Sequence, residues 1–271
     1  MTRAADLRAR FAEMHRDPPP EPTPGILVMP NPWDIGSAKV LTALGFRALA
    51  TTSAGFAGSL GRHDQHITRE ELIDHVVALT SAVDVPFNVD AEDCFADDVD
   101  GVVETVGLLD ATDAAGFSIE DYDPRADEIR PLDVAAERVA AARSASADLV
   151  LTARAENRLH GISDLDDTIA RLVAYREAGA DVLYAPGLFK ADTIARVVAE
   201  VGAPLNVLAL PGTPPVPELA TLGVARISVG SLFAWTAYGA LVEAASELMG
   251  AGTQDYVKHM LAGELRNTAF E

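Results

Sequence analysis

Short apolar runs recur along the chain without polar alternation, each followed by a longer stretch with apolar residues at helical spacing. The runs fall at residues 26–29, 47–52, 86–90, 117–120, 149–153, 181–184, 204–209 and 226–229. Runs of this kind read as strands buried on both faces, as in parallel sheets. The stretches between and after them predict helices over 35–44, 69–82, 101–115, 134–144, 164–178, 192–201, 216–222 and 233–249. Several helices end in glycine just before the next strand, as at Gly45, Gly116, Gly179, Gly202 and Gly223, where a left-handed residue stops a helix. Eight strand–helix units predict a closed (β/α)8 TIM-type barrel, with an open doubly wound sheet as the weaker alternative. The chain has neither a GxGxxG nor a P-loop pattern, which weighs against a nucleotide-binding sheet.

Two segments lie outside this repeat. Residues 1–16 predict an amphipathic helix, followed by a linker at 17–25 with three consecutive prolines from Pro18. Residues 253–271 hold a further helical pattern through Tyr256, Val257, Met260 and Leu261. The expected division is an N-terminal helix and linker at 1–24, a barrel at 25–250 and a C-terminal helical tail at 251–271.

Composition narrows the function. The formal net charge is −20, so a nucleic-acid partner is not expected, because phosphate binding needs a basic face. No apolar run approaches bilayer length, so no membrane partner is expected. The first residues mix charges with apolar positions, unlike a signal peptide. The lone Cys94 cannot form an intrachain disulfide. Together these predict a cytoplasmic protein.

In a barrel the C-terminal strand ends converge on one face, which holds the site. The residues expected there include Thr52, Ser53, Ala54, Asp90, Glu92, Glu120, Arg154, Tyr184, Asn206 and Ser228, with Asp64 further along the second loop. The set is rich in oxygen donors and has no histidine or cysteine at a strand end, which favours Mg²⁺, with Mn²⁺ as the alternative, over zinc. A bland reading stands beside this one: Asp90 and Glu120 form structural ion pairs with Arg154, and Asp64 only shapes a turn. Cys94 is expected to be inert beside Asp93.

Four segments carry a resemblance. They are Thr51-Thr52-Ser53 with Ser59-Leu60-Gly61-Arg62-His63-Asp64; Asn88-Val89-Asp90-Ala91-Glu92; Phe117-Ser118-Ile119-Glu120-Asp121; and Thr152-Ala153-Arg154-Ala155-Glu156. In this order they resemble the isocitrate lyase/phosphoenolpyruvate mutase superfamily, from about residue 26 to about residue 240. The resemblance implies Mg²⁺ chelated by a 2-oxo carboxylate. Asp90 would ligate the ion, with Asp64, Glu92 and Glu120 holding its waters. Ser53 and Ala54 amides would bind the substrate carboxylate, Arg154 would neutralise it, and Thr52 and Asn206 would touch the substrate. Asp64, Glu120 and Arg154 would be the catalytic groups. The superfamily also implies a homodimer or homotetramer that swaps its last helix between subunits.

The departures are as informative. The lyases carry Lys-Lys-Cys-Gly-His after the fourth strand and the mutases Lys-Thr-Asn; this chain has neither across residues 122–130. The segment is expected to be a mobile lid in which Arg125 or Arg130 swings toward an outer carboxylate, with water or a tyrosine supplying the missing proton. The superfamily's Gly-Tyr-Gly appears as Cys94-Phe95-Ala96, and the sixth strand ends Tyr184-Ala185-Pro186. The expected function is a Mg-dependent lyase that cleaves or decarboxylates a small anionic 2-oxo or 2-hydroxy dicarboxylate through a metal-stabilised enolate. The alternatives are a P–C bond enzyme of the phosphonopyruvate hydrolase or phosphoenolpyruvate mutase type, and a catalytically weak 2-oxo acid binder.

Overall fold

The apolar runs become strands in the order expected. In the computed structural model, which describes residues 2–20 and 23–271, they are β1 (Leu27–Val28), β2 (Leu49–Ala50), β3 (Phe87–Asp90), β4 (Gly116–Glu120), β7 (Val150–Arg154), β8 (Val182–Tyr184), β9 (Leu205–Leu208) and β10 (Arg226–Ser228). All pair in parallel, in the order β1-β10-β9-β8-β7-β4-β3-β2. The Ala50 amide donates to the Pro30 carbonyl at 3.1 Å, which brings the two end strands together and closes the (β/α)8 barrel. Met1 of the expected first helix and residues 21–22 of the expected linker lie outside the described residues.

The outer layer is α2 (Ile35–Ala43), α4 (Arg69–Ala82), α5 (Val99–Asp110), α6 (Leu132–Ala145), α7 (Leu165–Glu177), α8 (Ala191–Val201), α9 (Val216–Thr221) and α10 (Leu232–Gly250). Local chemistry sets several boundaries. The Thr68 and Glu71 side chains form a capping box at the start of α4. Asp98 caps α5 by accepting from the Gly101 amide at 2.9 Å, so that helix starts two residues earlier than its apolar periodicity suggests. Gly116 does not stop a helix but begins β4. A Cβ there would stand 2.6 Å from the Val150 carbonyl and 2.9 Å from the Phe11 ring, so no side chain fits.

Two elements depart from the sequence reading. A short helix, α3 (Ser53–Ser59), follows β2, capped by Thr52, whose hydroxyl accepts from the Gly55 amide at 3.2 Å. The segment expected as an irregular mobile lid carries a hairpin, β5 (Tyr122–Asp123) against β6 (Glu128–Ile129).

The first helix, α1 (Arg3–Arg16), seals the N-terminal end of the barrel. Its Leu7, Phe11 and Met14 pack with Leu27, Met29, Ala50, Val150 and Val182 at the strand starts. Burying an aromatic like Phe11 contributes about 1.5–3 kcal/mol. Arg3 pairs with Asp84 and Asp113, and Arg8 with Asp110, which fixes the helix in rotation.

The C-terminal tail continues beyond α10 as a single 3-10 turn (Asp255–His259) and then α11 (Gly263–Phe270). Helix α11 returns to its own chain's α2, near Lys39 and Thr42, with Ala269 buried there. The outer face of α10 keeps Leu241, Val242 and Met249 exposed, the last at 89%. No described helix is long and apolar enough to cross a membrane.

Candidate active site

A cavity of about 180 Å³ opens at the C-terminal strand ends. Thr52, Ser53, Ala54, Asp64, Asp90, Arg154 and Asn206 all line it, so the barrel brings together residues from five separate stretches of sequence. Glu120 stands just behind, within reach of Arg154, and Glu92 is buried beside Asp90 in sequence.

Arg154 organises the acids. Its Nη1 lies 2.6 Å from Asp90 and 3.3 Å from Glu120, and its Nη2 lies 2.8 Å from Glu156. The guanidinium also stacks over the Tyr184 ring at 5.2 Å. The ion pairs of the bland reading therefore exist. They do not exhaust the acids, because one cation faces Asp90, Glu120 and Glu156 together, with Glu92 and Asp64 close by. The second Asp90 oxygen accepts from both the amide and the hydroxyl of Ser53, at 3.1 Å each. The Ser53 amide, expected to meet the substrate, thus holds Asp90 instead.

The crowding shows in the acidities. Burial, and then the charges of Asp90 and Asp64, push the Glu92 carboxyl up to about 9. Its Oε1 is buried with no hydrogen-bond partner. Burial raises Glu120 well above the carboxylate range, with Arg154 opposing and Glu156 and Asp90 adding to the rise. Lost water, and then Asp90, raise Asp64. Asp64 also shapes the turn of the bland reading: it accepts from the Gln65 amide at 3.1 Å, while the Gln65 side chain donates to Glu120 at 3.1 Å.

These residues fit a hard divalent cation. Among the described residues, no three His, Cys, Asp or Glu side chains stand close enough to hold one ion between them. A magnesium ion needs no such cage, since it keeps several waters and takes one or two carboxylates plus substrate oxygens. With such an ion bound, Asp90 would be the direct carboxylate, and Glu92, with its unpartnered oxygen, Glu120 and Asp64 would hold the ion's waters.

The segment after β3 is strained and pinned. Glu92, Cys94 and Phe95 have φ of 49°, 62° and 53°, left-handed values that cost non-glycine residues of order 1–3 kcal/mol each. Buried Asp93 anchors them, accepting from Arg125 at 2.6 Å and Arg130 at 3.1 Å, while Arg138 donates to its carbonyl at 2.7 Å. This corrects the lid expectation: Arg130 is buried and paired with Asp93 and Asp123, so neither hairpin arginine is a spare charge awaiting an outer carboxylate. Cys94 is fully buried and its thiol is pushed up to about 12, chiefly by that burial, which makes it inert.

One residue at the cavity floor escaped the sequence reading. Arg226 of β10 is buried and lines the cavity. Its Nε donates to Asn206 at 2.8 Å, its Nη2 to Thr152 at 3.0 Å, and its Nη1 lies 3.3 Å from His15 Nε2 on α1. Asn206, expected to touch substrate, also donates to Ser228 at 3.0 Å, so it links the floor to the mouth. Burial pulls the Arg226 pKa down to about 9. The available signal was a charged side chain inside an apolar run, the same signal that had singled out Arg154.

Known proteins share this sequence pattern and this fold. The model of the phosphoenolpyruvate phosphomutase family matches residues 14–249. A solved structure from Burkholderia cenocepacia J2315, provisionally described as a lyase/mutase, is 46% identical, covers 99% of this chain and 96% of that one, and superposes with a TM-score of 0.92. A 2-methylisocitrate lyase of Aeropyrum pernix is 31% identical over 60% of this chain and 54% of its own length. An oxaloacetate decarboxylase of Paraburkholderia xenovorans is 31% identical over 59% of this chain and 56% of its own length. The match thus spans about half the length of these two enzymes.

Proposed function

The chain belongs to the phosphoenolpyruvate phosphomutase family, and from that premise we propose that it is a magnesium-dependent carbon–carbon lyase acting on a small 2-oxo or 2-hydroxy dicarboxylate. The observation that carries this reading is the excess of acid around a single arginine: Asp90, Glu120 and Glu156 on Arg154, with Glu92 and Asp64 raised beside them. A hard dication relieves that excess. When bound it supplies charge stabilisation for electron density developing on the substrate's 2-oxo oxygen.

The chain's own groups do the rest. Ser53 holds one Asp90 oxygen and Arg154 the other, so Asp90 keeps a fixed orientation. Gln65 holds Glu120 from the opposite side. The Asp93 cluster holds the hairpin to the segment that follows β3. The cavity volume suits a compact acid, since a cavity of about 150 Å³ takes benzene. The named activities of the two curated relatives, 2-methylisocitrate cleavage and oxaloacetate decarboxylation, both act on such acids.

P–C bond chemistry is the second reading, favoured by the description of the matching family itself. A catalytically weak binder is the third, favoured by a hairpin with neither cysteine nor histidine across residues 122–130. Incubation with oxaloacetate, isocitrate, 2-methylisocitrate and phosphonopyruvate, with Mg²⁺ or with EDTA, separates them. Metal-dependent release of pyruvate or glyoxylate from oxaloacetate, isocitrate or 2-methylisocitrate supports the lyase, conversion of phosphonopyruvate to phosphate and pyruvate or to phosphoenolpyruvate supports the P–C enzyme, and binding without turnover supports the third reading. The exposed apolar face of α10 further supports a homodimer or homotetramer. Light scattering checks this, and a monodisperse monomer would refute it.

A further inference from the structure

Arg226 is a buried guanidinium that pairs with no acid among the described residues. The four other buried arginines, Arg8, Arg130, Arg138 and Arg171, each have a carboxylate within 4.0 Å. Arg154 has three such partners. The partners of Arg226 are all neutral: the Asn206 carbonyl, the Thr152 hydroxyl and His15. His15 is held as an acceptor, because its Nδ1 donates to the Phe11 carbonyl at 2.8 Å and leaves the Nε2 lone pair toward the arginine. Burial beside Arg226 keeps that imidazole uncharged. Buried charges without a counter-charge are costly and rarely kept without a purpose.

The floor of the cavity is thus positive and its rim is negative. Arg226 lies at the floor with Asn88, Asn206 and Met29, while Asp64 and Asp90 stand toward the mouth. A guanidinium has five N–H groups. Three are used by Asn206, Thr152 and His15, which leaves one on each terminal nitrogen. That pair matches a carboxylate taken at both oxygens.

We infer that Arg226 is a specificity residue of this site: it receives the carboxylate of the substrate that lies away from the Asp90 end, and so selects dicarboxylates over monocarboxylates. This rests on the lyase reading for what happens at the Asp90 end, but the anion subsite at Arg226 stands on its own contacts. It moves the counter-charge for one substrate carboxylate from Arg154, whose charge is already matched by three acids, to Arg226, whose charge is matched by none.

The test compares wild type with Arg226→Met, Arg226→Lys and His15→Gln. Each is titrated calorimetrically with oxaloacetate and pyruvate in Mg²⁺, and with succinate in EDTA, which probes the anion subsite without metal or 2-oxo group. Arg226→Met is expected to weaken oxaloacetate by roughly 30-fold or more, the size expected for losing one partner of a buried charge pair, and to leave pyruvate within about twofold. It should also abolish succinate binding. Arg226→Lys should recover part of the diacid preference and carries the test if the methionine variant does not fold. His15→Gln controls for packing against α1 and should leave the diacid-to-monoacid ratio unchanged.

If oxaloacetate is turned over equally by wild type and Arg226→Met, with the ratio to pyruvate unmoved, the inference is wrong and the lyase reading stands. If succinate binds wild type through Arg226 but no 2-oxo acid reacts, the inference stands and the lyase reading falls. If no acid binds wild type, both fall.

Discussion

The two ends of the barrel follow opposite electrostatic plans. At the N-terminal end each arginine of α1 that reaches the barrel meets its acid: Arg3 with Asp84 and Asp113, Arg8 with Asp110. The space between is filled by Leu7, Phe11 and Met14. At the C-terminal end acids outnumber bases, Glu92 keeps an unpartnered oxygen, and Glu92, Cys94 and Phe95 sit in left-handed backbone. One end pairs its charges, and the other keeps unbalanced charge and backbone strain. In TIM barrels function gathers at the C-terminal face, and the difference here shows what that division costs in charge balance.

Breaking the acidic end at its centre should have the largest effect. Asp90→Ala is expected to remove Mg²⁺-dependent oxalate binding, a loss of more than about 10²-fold by calorimetry, with the thermal midpoint unchanged. Equal oxalate binding by wild type in EDTA would overturn the metal assignment. The same end lacks the cysteine that the resemblance leads one to expect across residues 122–130, so cleavage of 2-methylisocitrate should be slower than ordinary turnover by about 10²–10⁴-fold. Steady-state pyruvate release measures this, and a rate near ~10 s⁻¹ would show that the missing cysteine is immaterial.

At the other end, Phe11→Ala should cost about 3–5 kcal/mol in urea unfolding while leaving oxalate affinity intact. A parallel loss of both would mean that the two ends are not separable. The smallest effects have opposite signs in pH. Glu92 is raised to about 9, so the metal-free protein loses stability as pH rises from its unfolded value of about 4.5 toward 9. His15 is lowered to about 3 by burial and Arg226, so stability is lost as pH falls from about 6.5 toward 3. Each slope is at most about 1.4 kcal/mol per pH unit. Glu92→Gln should flatten the alkaline limb and His15→Gln the acid limb, read from thermal melts in EDTA. Any variant that flattens the wrong limb refutes its assignment.

The barrel was legible because buried parallel strands announce themselves as unbroken apolar runs, and the strand ends then placed Asp90, Arg154 and Asn206 on one face. The hairpin at 122–130 was not legible. Its strands are short and polar, and they form because Arg125 and Arg130 reach Asp93, some thirty residues earlier. Helix α3 was hidden by its two internal glycines and its length of seven residues. Arg226 stood in plain view inside an apolar run. What marks it is a missing acid partner, a property of three-dimensional neighbours that no local pattern records.

The helix that seals the barrel also sets an order of assembly. His15 meets Arg226 across 211 residues of chain. During translation at about 5–20 residues per second, the first helix therefore waits roughly 10–40 s before its last partner is made. Leu7, Phe11 and Met14 pack on residues made earlier, the last of them Val182. The helix therefore meets its apolar partners, from Leu27 to Val182, before the strand that carries Arg226 is made, and its polar contact through His15 closes last.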